Sequence, residues 1–203
     1  MKNNKKICIV TRALINGGAE RVIAQLANYF AKKGIECSII TIDVAAVAYE
    51  LDTSINVDAI GKKVDNKVKD RFFRYAALRK KIMKHKPDVV LSMPEDIGIY
   101  VILALIGSKI PVYVSERNNP WVMPDVKITR LLRKIAYPLA DGIIFQTDMA
   151  KSYFPKNIQK KGIVLSNPVD IARIPEPYKG KRQNLFAAVG RLEKQKNFPM
   201  LIK

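Results

Sequence analysis

One histidine, His85, and two cysteines, Cys8 and Cys37, are all the soft metal ligands in these 203 residues. They are scattered along the chain. That excludes a structural zinc site, which needs about four Cys or His ligands at short, regular spacings. Both cysteines fall inside runs that read as strands, so they are expected as buried, reduced thiols and not as a disulfide. Long apolar runs are missing as well. The longest, IGIYVILALIG at 97–107, is far short of the roughly 20 residues a spanning helix needs. The opening MKNNKKICIVT has too short an apolar run, and no small-residue cleavage site, to be a signal peptide. It reads as a first strand. Low-complexity segments and internal repeats are absent, and apolar content of 48% is that of a soluble globular protein. Acids are scarce: 18 Asp and Glu stand against 36 Lys and Arg, a net charge of +18. That excess must lie on the surface, where it favours an anionic partner such as nucleic acid, an anionic membrane face or a phosphorylated substrate.

What is present is an alternation of strand-like and helix-like segments, which predicts a mostly parallel sheet with helices on both faces, a Rossmann-like α/β class. KICIVT (6–11), ECSIITI (36–42), SINVDAI (54–60), PDVVLSM, IPVYVS (110–115), DGIIFQT (141–147) and KGIVLS (161–166) are the expected strands. After the first, Val22, Ile23, Leu26, Ala27 and Phe30 recur at helical spacing until Gly34. DIGIYVILALIG is expected to pack on the sheet as a helix, VKITRLLRKIAYPLA (126–140) is a basic helix, and Thr147 is a candidate cap for DMAKSYF. Residues 43–53 show no clear pattern.

Residues 67–85 predict an amphipathic helix with Phe72, Tyr75, Ala76, Ile82 and Met83 on one face and Lys69, Arg71, Arg74, Lys80, Lys81 and Lys84 around the rest. Between Gly61 and Lys86 there are eleven Lys and Arg and only two acids, Asp65 and Asp70. His85, between two lysines, is expected to be exposed and inert. The stretch NPVDIARIPEPYKGKRQ carries Pro168, Pro175 and Pro177 and no periodicity, which marks a linker. LFAAVGRL (185–192) is then a new strand, and NFPMLIK opens a helix. The expected organisation is an acceptor-side domain over 1–167, a linker over 168–184, and the first strand and start of the first helix of a second, truncated domain over 185–203.

Parallel α/β sheets gather ligands at the C-terminal ends of their strands, where helix N-termini present free N–H groups and partial positive charge. Several stretches fall on that edge. INGGAERVIAQL sets Gly17 and Gly18 where the first strand ends and a helix begins, and glycine lets backbone approach a phosphate closely. The pattern is neither G-x-G-x-x-G nor a Walker A loop, and a tight turn alone would also use it. VSERNNPW brings Glu116, Arg117 and Asn118 to the same edge, and Pro94, Glu95 and Asp96 end another strand there. Glu20 fits an acid in a helix's first turn, Asp96 fits an N-cap, and Trp121 fits packing in a partly buried loop. In VGRLEKQKNF, Arg191 and Lys196 stand five apart on a loop, and both side chains suit a diphosphate.

Taken together, GGAERV, SERNNP, NPVD and VGRLEKQKNF resemble glycosyltransferase family 4, retaining sugar-nucleotide transferases of the GT-B fold. They occur in the family's order across essentially the whole chain. The resemblance implies two Rossmann-like domains facing across a cleft, the first leaning toward the acceptor and the second holding most of the nucleotide sugar. It assigns Gly17 and Gly18 to a loop beside the donor diphosphate or an acceptor phosphate. Arg191 and Lys196 become the basic pair that neutralises the leaving diphosphate, so no cofactor or metal is required. Glu116 and Arg117 stand where many relatives place a histidine near the reacting sugar, and they are the catalytic candidates. Asn118 and Glu95 are acceptor-side candidates.

The resemblance further implies a lipid-linked or glycan acceptor in cell-surface polysaccharide or glycolipid synthesis, on the cytoplasmic inner face of the cell membrane. The basic helix, with Lys69, Arg71, Arg74, Lys80, Lys81 and Lys84, would meet anionic headgroups there, and no nucleic-acid partner is expected. Two other readings are a non-catalytic, basic α/β domain that binds nucleic acid, and a sugar-nucleotide epimerase on the same fold. SERNNP and GRLEKQKNF count against the epimerase. The family's E-x7-E motif, which contacts the donor, is absent from these residues. The 203 residues alone are therefore expected to show negligible transfer, and a multiple-turnover assay on the purified chain checks this: sustained product formation would refute it.

Overall fold

A computed structural model describes residues 5–15, 17–61, 66–169, 171, 174–181, 183–190, 192 and 196–202, apart from the side chains of Lys67, Val68 and Arg71. The chain divides into two compact units, Met1–Pro168 and Val169–Lys203.

The first unit is built on a seven-stranded sheet. Its strands are β1 (Lys6–Thr11), β2 (Glu36–Thr41), β3 (Asn56–Ala59), β4 (Val89–Ser92), β5 (Val112–Glu116), β6 (Gly142–Phe145) and β7 (Gly162–Val164). All pairings are parallel and the spatial order is β3-β2-β1-β4-β5-β6-β7. The chain winds outward from β1 to β3, returns, and winds outward again from β4. The reversal between β1 and β4 opens a crevice at the C-terminal ends of those strands, which is where ligands bind in such sheets. The α/β, Rossmann-like expectation holds.

The crossovers are α1 (Gly18–Lys32), α2 (Lys67–His85), α3 (Glu95–Ala104), α4 (Lys127–Ala136) with a 3-10 turn over Tyr137–Leu139, α5 (Asp148–Ser152) and α6 (Lys156–Lys160). Helix α1 buries Val22, Ile23 and Ala27 in a cluster with Ile9, Ile39 and Met93. A larger cluster joins Leu78 and Ile82 of α2, Ile97 to Ala104 of α3, and Ala136 and Tyr137 beyond α4 to the strand residues Val10, Val90, Val114 and Ile143. Helix α3 packs against both α2 and α4, so the three form one layer with α3 in the middle. Thr147 caps α5, accepting a hydrogen bond from the Ala150 N–H at 3.0 Å. Cys8 and Cys37 are free and buried in adjacent strands, and burial pushes both thiols up to about 12.

Three expectations change. On α2 the buried stripe is Leu78 and Ile82, with Tyr75 packed beside them, whereas Phe72, Ala76 and Met83 face solvent. Burial of Leu78 and Ile82 sets this rotation, and it leaves Arg74 within reach of Asp43 and Lys81 within reach of Asp58. His85 is partly buried, with Nε2 3.1 Å from Asp58 Oδ2. Asp96 does not cap α3, whose N-cap is Pro94; it pairs with Arg12 instead.

In the second unit the described residues form one helix, α7 (Phe198–Ile202), and no strand. Over 185–192, where a strand is expected, the described residues are exposed and pair with no neighbour. A single strand has no ladder in which to satisfy its N–H and C=O groups. Gly190 lies under the Lys196 stem and the Phe198 ring, with a Cβ position 3.6 Å from Lys196 Cδ and 3.4 Å from Phe198 Cζ.

Gly98 marks the closest approach of α3 to the sheet: a Cβ there would meet Val114 Cγ1 at 2.2 Å. Overpacking a buried β-branched side chain outweighs the helix propensity of alanine, so Gly98→Ala is expected to cost about 1–2 kcal/mol. Urea unfolding of G98A in the wild-type and V114A backgrounds checks it. The penalty should shrink once Val114 is truncated, and an additive result would refute the contact.

Candidate functional site at the carboxyl edge of the sheet

Helix α1 starts without a side-chain cap. Gly17 is extended, and its N–H donates to the Tyr49 hydroxyl at 3.0 Å while its carbonyl accepts from the same hydroxyl at 2.8 Å. The patternless segment 43–53 thus docks the glycine turn, helped by a bridge between Leu14 and Val47. A Cβ on Gly17 would fall 2.0 Å from Glu20 Oε2. The Glu20 carboxylate therefore folds back over the turn, as expected for an acid near a helix's positive pole. Gly18 is exposed with nothing within 4 Å of its Cβ position. The helix end is therefore open at Gly18 itself, with the Glu20 carboxylate lying over the turn next to it.

Arg12 leaves the end of β1 at the crevice. Its guanidinium bonds Asp96 at the start of α3 and lies 3.3 Å from Asp43 beyond β2. Asp43 also takes Arg74 at 2.8 Å, and Arg74 bonds Asp70 at 2.6 Å. Sequence reasoning missed Arg12. The available signal was its place directly after the first strand, at the reversal of strand order.

Beside this network, Glu95 is only 2% exposed and accepts from Asn118 Nδ2 at 2.7 Å and, weakly, from the Arg117 N–H at 3.5 Å. The two acceptor-side candidates are thus bonded to each other, with the loop after β5 hung from the first turn of α3. The Arg117 guanidinium bonds Asn167 Oδ1 beyond β7 and approaches Ser115 Oγ at 3.4 Å. Gln146 donates to the same Asn167 oxygen at 3.0 Å. Arg117, Asn118, Gln146 and Asn167 therefore tie the ends of β5, β6 and β7 into one polar rim. Burial pulls the Arg117 guanidinium below its usual value, while the Glu95 carboxylate works against that.

Glu116 is elsewhere. It is 1% exposed and points into the protein, accepting from Arg133 Nη1 at 2.9 Å and from the Tyr137 hydroxyl. Burial pushes its carboxyl up to about 7 against the pull of Arg133. Arg133 is 3% exposed and also donates to the carbonyls of Pro120 at 3.1 Å and Met123 at 3.0 Å. Its guanidinium lies over the Tyr153 and Phe154 rings. Arg130 holds the carbonyls of Val122 at 2.6 Å and Pro124 at 2.5 Å. Alternation along β5 sends Ser115 and Glu116 to opposite sides, and Glu116 falls on the core side. It is a support for the loop and does not reach the edge; of the two catalytic candidates, Arg117 alone does. Trp121 packs edge-on against Tyr153.

Of the basic-helix candidates, Lys69, Lys80 and Lys84 are exposed. Arg74 and Lys81 are committed to ion pairs, Lys81 with Asp58 at 3.1 Å, and so drop out of the outer face. The side chain of Arg71 lies outside the described residues, as does Arg191. Lys196 is exposed in the second unit.

Removing one partner of a buried ion pair leaves the other uncompensated, so Arg133→Met is expected to cost about 3–5 kcal/mol. Pairing it with Glu116→Gln should recover part of that loss. Urea unfolding near neutral pH reads both, and strict additivity of the two changes would refute the coupling.

The model of Glycosyltransferase Family 4 matches residues 16–173. The GalNAc-alpha-(1->4)-GalNAc-alpha-(1->3)-diNAcBac-PP-undecaprenol alpha-1,4-N-acetyl-D-galactosaminyltransferase of Campylobacter jejuni is 31% identical over 203 residues, covering 98% of this chain and 56% of that protein. An uncharacterized glycosyltransferase of Haemophilus influenzae is 26% identical over 189 residues, covering 92% of this chain and 53% of that protein. The chain spans about half the length of these curated relatives. Among solved structures, the apo form of the lipopolysaccharide outer core galactosyltransferase WaaB aligns with a TM-score of 0.63 at 17% identity, over 87% of this chain and 50% of that one. A UDP-N-acetylglucosamine 2-epimerase from Rickettsia bellii aligns with a TM-score of 0.57 at 16% identity, over 79% and 44%. A transferase and an epimerase share this architecture, so the structural likeness speaks to fold alone. The family match is more specific, and it runs from the glycine turn through the polar rim to the end of the sheet: this chain belongs to Glycosyltransferase Family 4.

Proposed function

We propose that this chain is the acceptor-side half of a retaining, hexosyl-type glycosyltransferase acting in cell-surface polysaccharide or glycolipid assembly. It would help move a sugar from a nucleotide sugar to a membrane-linked acceptor. The observation that carries the reading is the polar rim: Arg117 and Asn118, held by Glu95 and Asn167, share the carboxyl edge of the sheet with the open, glycine-led start of α1. The Campylobacter relative's name specifies a diphosphate-undecaprenol acceptor, which supports an acceptor of that kind here. Neither the family match nor these relatives support the nucleic-acid reading.

In this reading the Gly18 end of α1 receives a phosphate through N–H groups and the helix dipole. Arg117 and Asn118 orient the acceptor, with no general-acid role for the buried Glu116. Arg191 and Lys196 stabilise the charge that develops on the leaving diphosphate, in place of a metal. Lys69, Lys80 and Lys84 attract the protein to anionic headgroups on the inner face of the membrane, each worth about 1 kcal/mol near the surface.

The test is sugar transfer by the product of the whole reading frame, with a diphosphate-undecaprenol glycan as acceptor and product anomeric configuration read by NMR. Gly18→Asp would set a carboxylate where this reading puts the phosphate, and no atom lies within 4 Å of a Cβ there. It is expected to lower kcat/KM about 100-fold, a loss typical of one oriented charge-stabilising group. Gly18→Ala, which adds no charge, should stay within about threefold, since the neighbouring space is open. Equal activity of the two variants would remove phosphate from this helix end. An inverted product would refute retention.

A further inference from the structure

The helix that carries the loop clamp has a second face. On α4, Ile128, Leu131 and Ile135 are 57%, 53% and 56% exposed. Their spacing of three and then four residues aligns them in one row, continued by Leu139 in the 3-10 turn. Trp121 and Val122, in the loop that Arg130 and Arg133 hold, are exposed as well. Such a contiguous apolar row on a surface helix marks a contact. Lys127 and Lys134 run along one side of it. From Arg117 to Ala140 the chain has a single acid, Asp125.

We propose that this outer face of α4, with the Trp121–Val122 loop, inserts into the interfacial region of an anionic lipid bilayer. The helix is ten residues long, and no described helix is long and apolar enough to cross a membrane. An amphipathic helix of this kind lies in the interface plane, its apolar row among the acyl chains and its lysines reaching the headgroups. Charge argues against a second copy as the occupant. A two-fold contact would set Lys127 and Lys134 against their own equivalents, with no acid in α4 to pair them.

Helix α2 fits the same orientation. It stands on the other side of α3 in the same layer, and its outer arc alternates Phe72, Phe73 and Met83 with Lys69, Lys80 and Lys84. No residue of α3 is fully exposed between them. The bilayer thus meets two basic, apolar ridges flanking a recessed helix. Because Arg130 and Arg133 tie α4 to the loop after β5, insertion depth sets the height of Arg117 and Asn118 above the lipid.

This deepens the membrane-linked acceptor reading, but its test uses no donor and no acceptor, so either can fail alone. Trp121 is the only tryptophan in the chain and is 47% exposed, which makes it a built-in probe. The 203-residue chain is mixed with phosphatidylcholine vesicles with or without phosphatidylglycerol. With phosphatidylglycerol present, its emission should shift to the blue and be quenched by lipids brominated on the acyl chain. The variant Leu131→Ser/Ile135→Ser alters exposed side chains only, and is expected to bind these vesicles about tenfold more weakly or worse. Tyr29→Ser, an exposed aromatic on α1, should bind as wild type. Salt should reduce the bound fraction without removing the blue shift of what remains bound. Three outcomes would overturn the proposal: binding with unshifted Trp121 emission, wild-type binding by the double variant, or concentration-dependent self-association that the double variant abolishes without vesicle binding.

Discussion

The buried pairing of Glu116 with Arg133 sets the geometry of half this domain. A carboxylate and a guanidinium removed from water must find each other or lose several kcal/mol. Here they join the last residue of β5 to the inner side of α4. The Tyr137 hydroxyl completes the carboxylate, and the carbonyls of Pro120 and Met123 complete the guanidinium. One interaction therefore decides three things: where α4 lies, how the SERNNPWVMP loop folds back on it, and which side of α4 is left outside. The exposed Ile128, Leu131 and Ile135 are the counterpart of the buried Arg133 on a ten-residue helix.

The carboxyl edge is organised around the reversal of strand order between β1 and β4. On one side of the crevice stand the turn at Gly17 and Gly18 and the cation of Arg12, flanked by Asp43 and Asp96. On the other, Glu95 fastens Asn118, and Arg117 reaches across to Asn167 beyond β7. Arg12 is matched by Asp43 and Asp96, and Glu95 positions Asn118, so the donors left to face outward on this edge come mainly from Arg117, Asn118 and Gln146. Such an edge suits an anionic or polyhydroxyl ligand, in keeping with the family to which the chain belongs.

Much of this was legible in the residues. Period-2 runs and helical spacing located the seven strands and the main helices, because burial on two faces of a parallel sheet leaves few other patterns. The glycine turn, Glu95 and the SERN loop were placed on one edge because every strand of such a sheet ends on the same side. What was not legible depended on partners far apart in sequence. Arg74, Lys81 and His85 looked like members of a solvated basic face. Asp43 and Asp58, from another part of the chain, pair with them, while burial of Leu78 and Ile82 leaves Phe72 and Met83 outside. Glu116 looked like a neighbour for Arg117, but its partner is seventeen residues away.

Fold class, the edge where chemistry gathers and the family can be read from the residues, since these follow from local periodicity, turn residues and short motifs in a set order. Which charges remain available is settled in the folded chain. Ion pairing depends on distances between residues that the chain brings together from opposite ends of the sheet, and a buried acid looks the same as an exposed one in a string of letters. Arg117 and Asn118 kept their place at the edge, and Glu116 became the anchor beneath them.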